Sequence, residues 1–424
     1  MLIEFSVTNY LSFKEKQTLS MAASNYFTEM PENLIDTGIK GLPKLLSSAA
    51  IYGPNASGKS NFMKALYFMG YMVVVSSQRL QEGQKLDVVP FLLASQSRQK
   101  ESEFEIHFIA EGIRYQYGFS ADKEMIYKEW LVAYPKGRPQ LWFERDFDRE
   151  KKEYIYEFGS RFLGGNMRQV WEKATRNNAL FLSTAIQLNN EQLKPIFNWF
   201  EEKYEPQNSR PYGITCFKCK HDDFKKRVID FMNSLDISIE DILIEEELID
   251  LDKMSMDVPK ELKDAVAVLK SIKQGELKNL KVEFMHKNSE TGELIPFDIE
   301  TQESEGTKNL FDFSNHWFKM QDNNTVLFID EIESSLHPLV VRKIIHMLHQ
   351  SNSKAQLIFT THDTTILSQE IMRRDQIWFI ERDQQSTSRL YPLSEFKVRK
   401  GESLEKAYLD GRYGAIPIIE EYFG

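Results

Sequence analysis

An eight-residue run, Gly53-Pro54-Asn55-Ala56-Ser57-Gly58-Lys59-Ser60, places two glycines, a lysine and a hydroxyl at the spacing of a phosphate-binding loop. The glycines let the backbone fold tightly enough for successive N–H groups to face one anion. A helix starting at the loop adds the partial positive charge of its N-terminus. In such a loop Lys59 reaches the β- and γ-phosphates of a nucleotide and the Ser60 hydroxyl holds Mg²⁺. Far down the chain, Asp330-Glu331 follows the apolar run Val326-Leu327-Phe328-Ile329. An acid at a strand's end can hold Mg²⁺ or its water, and the next acid can orient and deprotonate an attacking water. His362, directly after the apolar run Leu357 to Thr361, is able to hydrogen-bond a γ-phosphate.

The elements around these residues have to bring them together. Ser48-Ala49-Ala50-Ile51-Tyr52 reads as a buried strand ahead of the loop, and Asn61 to Val75 as a helix behind it. Leu339, Val340, Ile344, Ile345 and Leu348 form a helical stripe between strands at 326–329 and 356–360, and Gln376 to Ile380 is a further strand. This strand–helix–strand rhythm belongs to a parallel α/β sheet. The core is therefore split, with its first strand near residue 50 and the others after residue 320. That spacing excludes a compact kinase-like or Ras-like core.

The intervening chain changes character along its length. Leu2 to Met21 alternates apolar and polar positions, which predicts a hairpin laid against the nucleotide core. Residues 88–158 are rich in aromatic and β-branched residues and punctuated by turns at Gly112, Asp122-Lys123 and Pro135-Lys136-Gly137, which predicts antiparallel strands. Leu180-Phe181-Leu182 reads as a short buried segment, followed by helical spacing at Leu193, Ile196, Phe197 and Phe200. Residues 205–290 are charged and read as mostly helical, an inserted lobe. The expected organisation is a first half-core at 1–87, a β region at 88–177, a helical lobe at 178–300 and a second half-core at 301–424.

Composition narrows the class. Of 424 residues 42% are hydrophobic and 27% charged, as in an ordinary globular chain, and the net charge of −10 argues against a surface dedicated to nucleic acid. No basic leader precedes an apolar stretch, and Phe62 to Val75 is too short to span a bilayer, so a cytoplasmic location is expected.

Taken together, the loop, the strand ending in Asp330-Glu331 and the strand ending in His362 resemble the ABC-type ATPase heads, the group that includes the SMC, RecF and OLD proteins. The resemblance implies ATP and Mg²⁺ as ligands, with Asp330 and Ser60 on the metal and Lys59, Glu331 and His362 as the catalytic groups. It also implies a signature sequence between the core halves, where Ser304-Glu305-Gly306-Thr307 stands. In that family Ser304 and Gly306 would contact the γ-phosphate bound to a second protomer, so a homodimer or larger homo-oligomer is implied. By itself the same segment reads as a turn before a helix N-terminus. A narrower resemblance, to RloA/AbiLi-type defence ATPases and the ATPase subunit of PARIS systems, rests on Asp330-Glu331-Ile332-Glu333-Ser334-Ser335-Leu336-His337-Pro338 and on Gly411-Arg412-Tyr413-Gly414-Ala415-Ile416-Pro417. It implies antiphage defence, a separately encoded effector that is RloB-like or Toprim nuclease-like, and a phage protein or nucleic acid as trigger.

Two positions depart from the family pattern. Glu305 stands where the common signature has glycine, and an acid facing a triphosphate repels it unless its side chain turns away. His337 stands where many relatives carry aspartate. For the glutamine that senses Mg²⁺ in such heads, Gln187 is the choice, after the apolar run from Leu182, with Gln78 and Gln81 open. Weaker signals are Cys216-Phe217-Lys218-Cys219-Lys220-His221, read as a metal-free loop for want of a fourth ligand, and Lys218, Lys220, Lys225, Lys226 and Arg227, which the acidic stretch from Glu240 to Asp252 could pair. His346 and His349 read as surface residues. The rival reading is a RecF-like DNA-repair ATPase, stimulated by DNA; a nuclease is disfavoured because no acidic cluster follows His362.

Overall fold

The computed structural model describes residues 1–206, 212–248, 278–334, 336–399 and 401–417. They fall into two compact units, Met1–Asn208 with Lys319–Gly424, and Ser209–Phe318.

In the first unit, strands β1 (Leu2–Thr8) and β2 (Gln17–Ser20) form the expected hairpin. Two-residue strands β3 (Leu34–Ile35) and β4 (Leu45–Leu46) follow, then β5 (Ser48–Tyr52), whose residues are all buried. Helix α1 (Lys59–Arg79) starts inside the glycine-rich loop, two residues earlier than the sequence suggested, and runs a turn longer. Strands β6 (Ser102–Ala110), β7 (Ile113–Ala121), β8 (Ile126–Tyr134), β9 (Gln140–Asp148) and β10 (Glu153–Phe158) are the antiparallel region. Its aromatic positions, among them Phe104, Tyr117, Phe119 and Phe143, are core residues. The hairpin is not separate from it. Strand β1 pairs with β6 to give one seven-stranded sheet in the order β10-β9-β8-β7-β6-β1-β2, so residue 87 is not a structural boundary.

Helices α2 (Met167–Ala174), α3 (Phe181–Gln187) and α4 (Lys194–Asn198) and strand β11 (Tyr204–Pro206) complete the first stretch of this unit. The lobe expected at 178–300 is thus a unit at 209–318. Among the described residues it holds strands as well as the expected helices: helices α5 (Tyr212–Cys219) and α6 (Asp222–Ser234) precede an antiparallel sheet of β12 (Asp241–Leu248), β13 (Lys278–Lys287) and β14 (Leu294–Asp298), and α7 (Glu305–Asn323) begins after it. The alternation that buries Val282 and Phe284 is a strand pattern that the density of charge had masked. Phe231 stacks on Trp317 at 5.8 Å in the core of this unit. Two members of the basic run pair with the acidic stretch: Lys220 with Glu246, and Lys225 with Asp241 at 2.9 Å.

The first unit resumes with β15 (Val326–Ile329), α8 (Pro338–Gln350), β16 (Gln356–Thr361), β17 (Ile377–Arg382), β18 (Ser388–Pro392) and α9 (Leu404–Leu409). The second sheet has the order β11-β15-β16-β5-β17-β18, parallel except at the β18 edge. The split α/β core is therefore as expected, with β5 seated between two strands made some 300 residues later. Helix α1 is buried on most sides, as a helix between two sheets must be. Its Phe62 meets Phe5 at 5.6 Å and Phe13 at 5.9 Å, while Ile51, Phe328 and Ile358 of the parallel sheet belong to the same core. No described helix is long and apolar enough to cross a membrane.

Candidate functional site

Register places the chemistry. Thr361 of β16 lies opposite Tyr52 of β5, and Ile329 of β15 opposite Phe359, so the carboxyl ends of three adjacent parallel strands finish at one edge. Gly53, His362 and Asp330 follow from them in turn. An open parallel sheet binds ligands at this edge.

The loop after β5 accepts little but its own sequence. A Cβ on Gly53 would lie 2.2 Å from the Ile380 carbonyl oxygen. Gly58 has φ +116, and a Cβ there would fall 2.4 Å from Ser388 Oγ and 2.8 Å from Ser12 Oγ. Those two serines brace the outside of the loop: Ser388 Oγ donates to the Ser57 carbonyl at 2.5 Å, Ser388 N–H donates to the Ser12 carbonyl at 2.8 Å, and Asn61 Nδ2 donates to Ser12 Oγ at 2.9 Å. Ser57 Oγ is buried without a hydrogen-bond partner. Lys59, only 6% exposed, donates from Nζ to the carbonyls of Gly53 at 2.7 Å and Pro54 at 3.2 Å. Burial pulls its pKa below the usual lysine range, while Glu331, Asp330 and Glu333 act in the opposite sense and favour its charge.

Across the edge, one hydroxyl arranges the acids. Thr360 Oγ1 donates to Asp330 Oδ1 at 2.6 Å and accepts Glu331 N–H at 2.7 Å, and the Thr360 carbonyl accepts Ile332 N–H at 3.1 Å. Glu331 has φ +53 and is exposed, so its carboxylate faces outward from a tightly turned backbone. Glu333 Oε1 accepts the His362 backbone N–H at 2.5 Å. The His362 ring has its pKa lowered, first by desolvation and then by Lys59, against the opposing field of Glu333, Glu331 and Asp330. A hydroxyl at Ser60 and a carboxylate at Asp330 are the hard oxygen donors that Mg²⁺ prefers. The unsatisfied Ser57 hydroxyl inside the loop fits an anion bound there. Thr360, Ser12 and Ser388 were not found by reading motifs; an apolar strand ending in two threonines gave the one faint signal for Thr360.

Other expectations need correction. Gln187 closes a helix, not a strand: the apolar run from Leu182 packs as α3, where Ser183 Oγ hydrogen-bonds Ser77 Oγ at 2.7 Å. Ser77 is in the last turn of α1, about 27 Å along the helix from Lys59 at 1.5 Å per residue. Gln187, with Gln78 and Gln81, therefore lies at the end of α1 away from the phosphate loop, which removes all three as Mg²⁺ sensors. His349 is not a surface residue. It is 4% exposed, its Nε2 sits 2.9 Å from Ser48 Oγ, and burial lowers its pKa to about 4. His346 is exposed as expected, and Val341 rather than Leu339 opens the buried stripe of α8. Cys216 and Cys219 are buried residues of helix α5, not a loop, and burial raises the Cys219 thiol to about 12. Among the described residues no group of three or more His, Cys, Asp or Glu could hold a metal.

Ser304 starts α7 in the second unit: its Oγ accepts Thr307 N–H at 3.1 Å, an N-cap. Gly306 follows in the first turn, and Glu305 pairs with Lys308 at 3.2 Å, turning its carboxylate along the helix. His337 caps α8, its Nδ1 accepting Leu339 N–H at 3.2 Å.

A family model described as "AAA domain, putative AbiEii toxin, Type IV TA system" matches residues 48–368. No curated protein matches the sequence. Among solved structures, the SMC head in the crystal structure of "the SmcHead bound to the C-winged helix domain of ScpA" is 13% identical with a TM-score of 0.40, covering 96% of this chain and 99% of that one. The "SMC head domain from Thermotoga maritima" is also 13% identical, with a TM-score of 0.37 and coverage of 94% and 99%.

Proposed function

We propose, from the premise that this chain belongs to the AAA-domain family whose model it matches over residues 48–368, that it binds and hydrolyses ATP and uses nucleotide-dependent self-association to control a separate effector protein in antiphage defence. The observation that carries the ATPase part is the convergence of the phosphate loop, Asp330-Glu331 and His362 at one edge of the parallel sheet. The loop N–H groups and Lys59 neutralise the phosphates. Ser60 and Asp330 would hold Mg²⁺, which would supply neutralisation of the phosphate charge. Glu331 accepts a proton from the water that attacks the γ-phosphorus, and His362 hydrogen-bonds a γ-phosphate oxygen, leaving ADP and phosphate. Ser304 and Gly306 from a second copy complete each site, so hydrolysis by the isolated protomer is slow.

The control of a partner rests on less. The family description names a type IV toxin–antitoxin system, a two-component setting, and the RloA-like segment 330–338 favours an RloB-like or Toprim nuclease-like effector in the cytoplasm. The test is a pair of variants in the full chain. Lys59→Ala should abolish ATP binding, whereas Glu331→Gln should bind ATP, lose hydrolysis by roughly 10²–10⁴-fold and accumulate as a dimer in size-exclusion chromatography with ATP. Normal turnover by Glu331→Gln would remove Glu331 as the base.

A further inference from the structure

The loop that follows β15 is tied to the end of β16 at three points. Two are made by Thr360, through its hydroxyl and its carbonyl. The third is a side chain: with Glu331 at φ +53, the backbone turns so that Glu333 reaches back to the His362 N–H at 2.5 Å. A carboxylate on a backbone amide is a strong, charge-assisted bond. Its other oxygen, Oε2, is buried without a partner, and so are Tyr52 Oη, on a residue 1% exposed, and Asp363 Oδ2. Leaving a buried carboxylate oxygen unpaired is costly, so a glutamate kept only for stability is poorly served by this arrangement. Glu333 also contributes to the fields acting on Lys59, His362 and Tyr52, which places it among the site's own groups.

We propose that Glu333 is a positioning residue: by holding the His362 backbone amide, it locks the loop carrying Asp330 and Glu331 to the strand end carrying His362, so that the base and the γ-phosphate ligand are placed as one rigid unit. The proposal rests on the ATPase reading for its kinetic consequence, though not for the contact itself. Without the clamp, the exposed Glu331 is held from one side only, by Thr360. Misplacing a base by a fraction of an ångström leaves nucleotide binding intact and slows the chemical step.

The experiment compares Glu333→Ala and Glu333→Gln in the full chain by steady-state ATP hydrolysis, affinity for a fluorescent ATP analogue and hydrogen–deuterium exchange of peptides containing His362. Glu333→Ala should lower kcat by about 10–100-fold with KM and analogue affinity within about threefold, and the His362 amide should lose protection while the peptide over residues 53–60 keeps its own. Glu333→Gln retains an acceptor oxygen and should recover most of the kcat and the protection. Glu333→Asp, one methylene shorter, replaces the alanine variant if that one misfolds, and should behave like it. An unchanged kcat in Glu333→Ala overturns the proposal. So does a loss of ATP affinity as deep as that of Lys59→Ala, which would mark a general scaffold role, and so does a glutamine variant as slow as the alanine variant. If the wild type itself fails to hydrolyse ATP, the ATPase reading fails, and the exchange data alone decide the clamp: lost protection in Glu333→Ala supports it, unchanged protection overturns it.

Discussion

The two ends of helix α1 put their charged groups to different uses. At its N-terminus, Lys59 rests on loop carbonyls, Ser57 Oγ is unpaired, and the nearby Glu333 keeps one oxygen unsatisfied. At its C-terminus, Arg176 Nη2 donates to the terminal carbonyls of Ser77 at 3.1 Å and Leu80 at 2.7 Å. Beyond it, the fully buried Glu129 accepts N–H bonds from Phe181 at 2.6 Å and Leu182 at 2.9 Å and a bond from the Tyr117 hydroxyl at 3.0 Å. Arg145 lies 3.8 Å from Glu129, donates to the carbonyls of Ala179 and Arg176, and stacks on Tyr154 at 3.8 Å. Both ends concentrate charge in a low-dielectric setting. At the C-terminal end Glu129 and the Nη groups of Arg145 and Arg176 are bonded to the backbone of neighbouring segments, which makes a joint even though Arg145 Nε and Arg176 Nε stay unpaired; at the N-terminal end the unpaired hydroxyl and carboxylate oxygen lie at the edge where the strands finish, which makes a site.

That contrast can be broken from either end. The largest stability change should come from the joint: Glu129→Ala strands Arg145 and uncaps α3, so unfolding in urea should need about 3–5 kcal/mol less, whereas Lys59→Ala, which abolishes ATP binding, should leave the urea midpoint nearly unchanged. Next comes a pH effect at the buried His349. Its folded pKa, lowered to about 4, lies below the unfolded value of 6.5, so the unfolded chain binds the extra proton first. Stability from this group is full above about pH 6.5 and falls as pH drops toward 4, by about 3 kcal/mol in all. Replacing it by glutamine should flatten that part of the stability–pH profile measured by urea titration. The smallest effect is Arg176→Ala, which frees the last α1 carbonyls and should cost about 1–3 kcal/mol while ATP affinity stays within about threefold.

The sequence was most legible where chemistry demands contiguous residues. The phosphate loop, Asp330-Glu331 and His362 each sit at a strand end, and apolar runs mark strand ends well. Ser12 and Ser388 were invisible, and Thr360 nearly so, because they reach the site through strand register and through loops far apart in the chain. Phe181 to Gln187 misled in another way. Leu182-Ser183-Thr184-Ala185-Ile186 mixes apolar and β-branched residues without a helical stripe, since α3 is buried on most sides; its N-terminus is stabilised by Glu129 of β8, some fifty residues earlier, a tertiary contact that overrides local preference. His349 was misjudged for want of its neighbours: it continues the face of Ile345 and Leu348, and Ser48 with the Ile371 backbone makes that face able to take a polar ring. In the second unit, charges on the exposed face of β12 and β13 hid the alternation beneath them.

The place of β5 between β16 and β17 has a further consequence for the making of the protein. A ribosome finishes the phosphate loop at residue 60, yet the strands that flank β5 are complete only at residues 361 and 382. At roughly 5–20 residues per second, the loop waits on the order of 15–60 s for both its walls. During that interval β5 has no strand on either side of it, although α1 can already pack on the seven-stranded sheet, complete at Phe158. The phosphate loop gains both its walls only once Arg382 has been made.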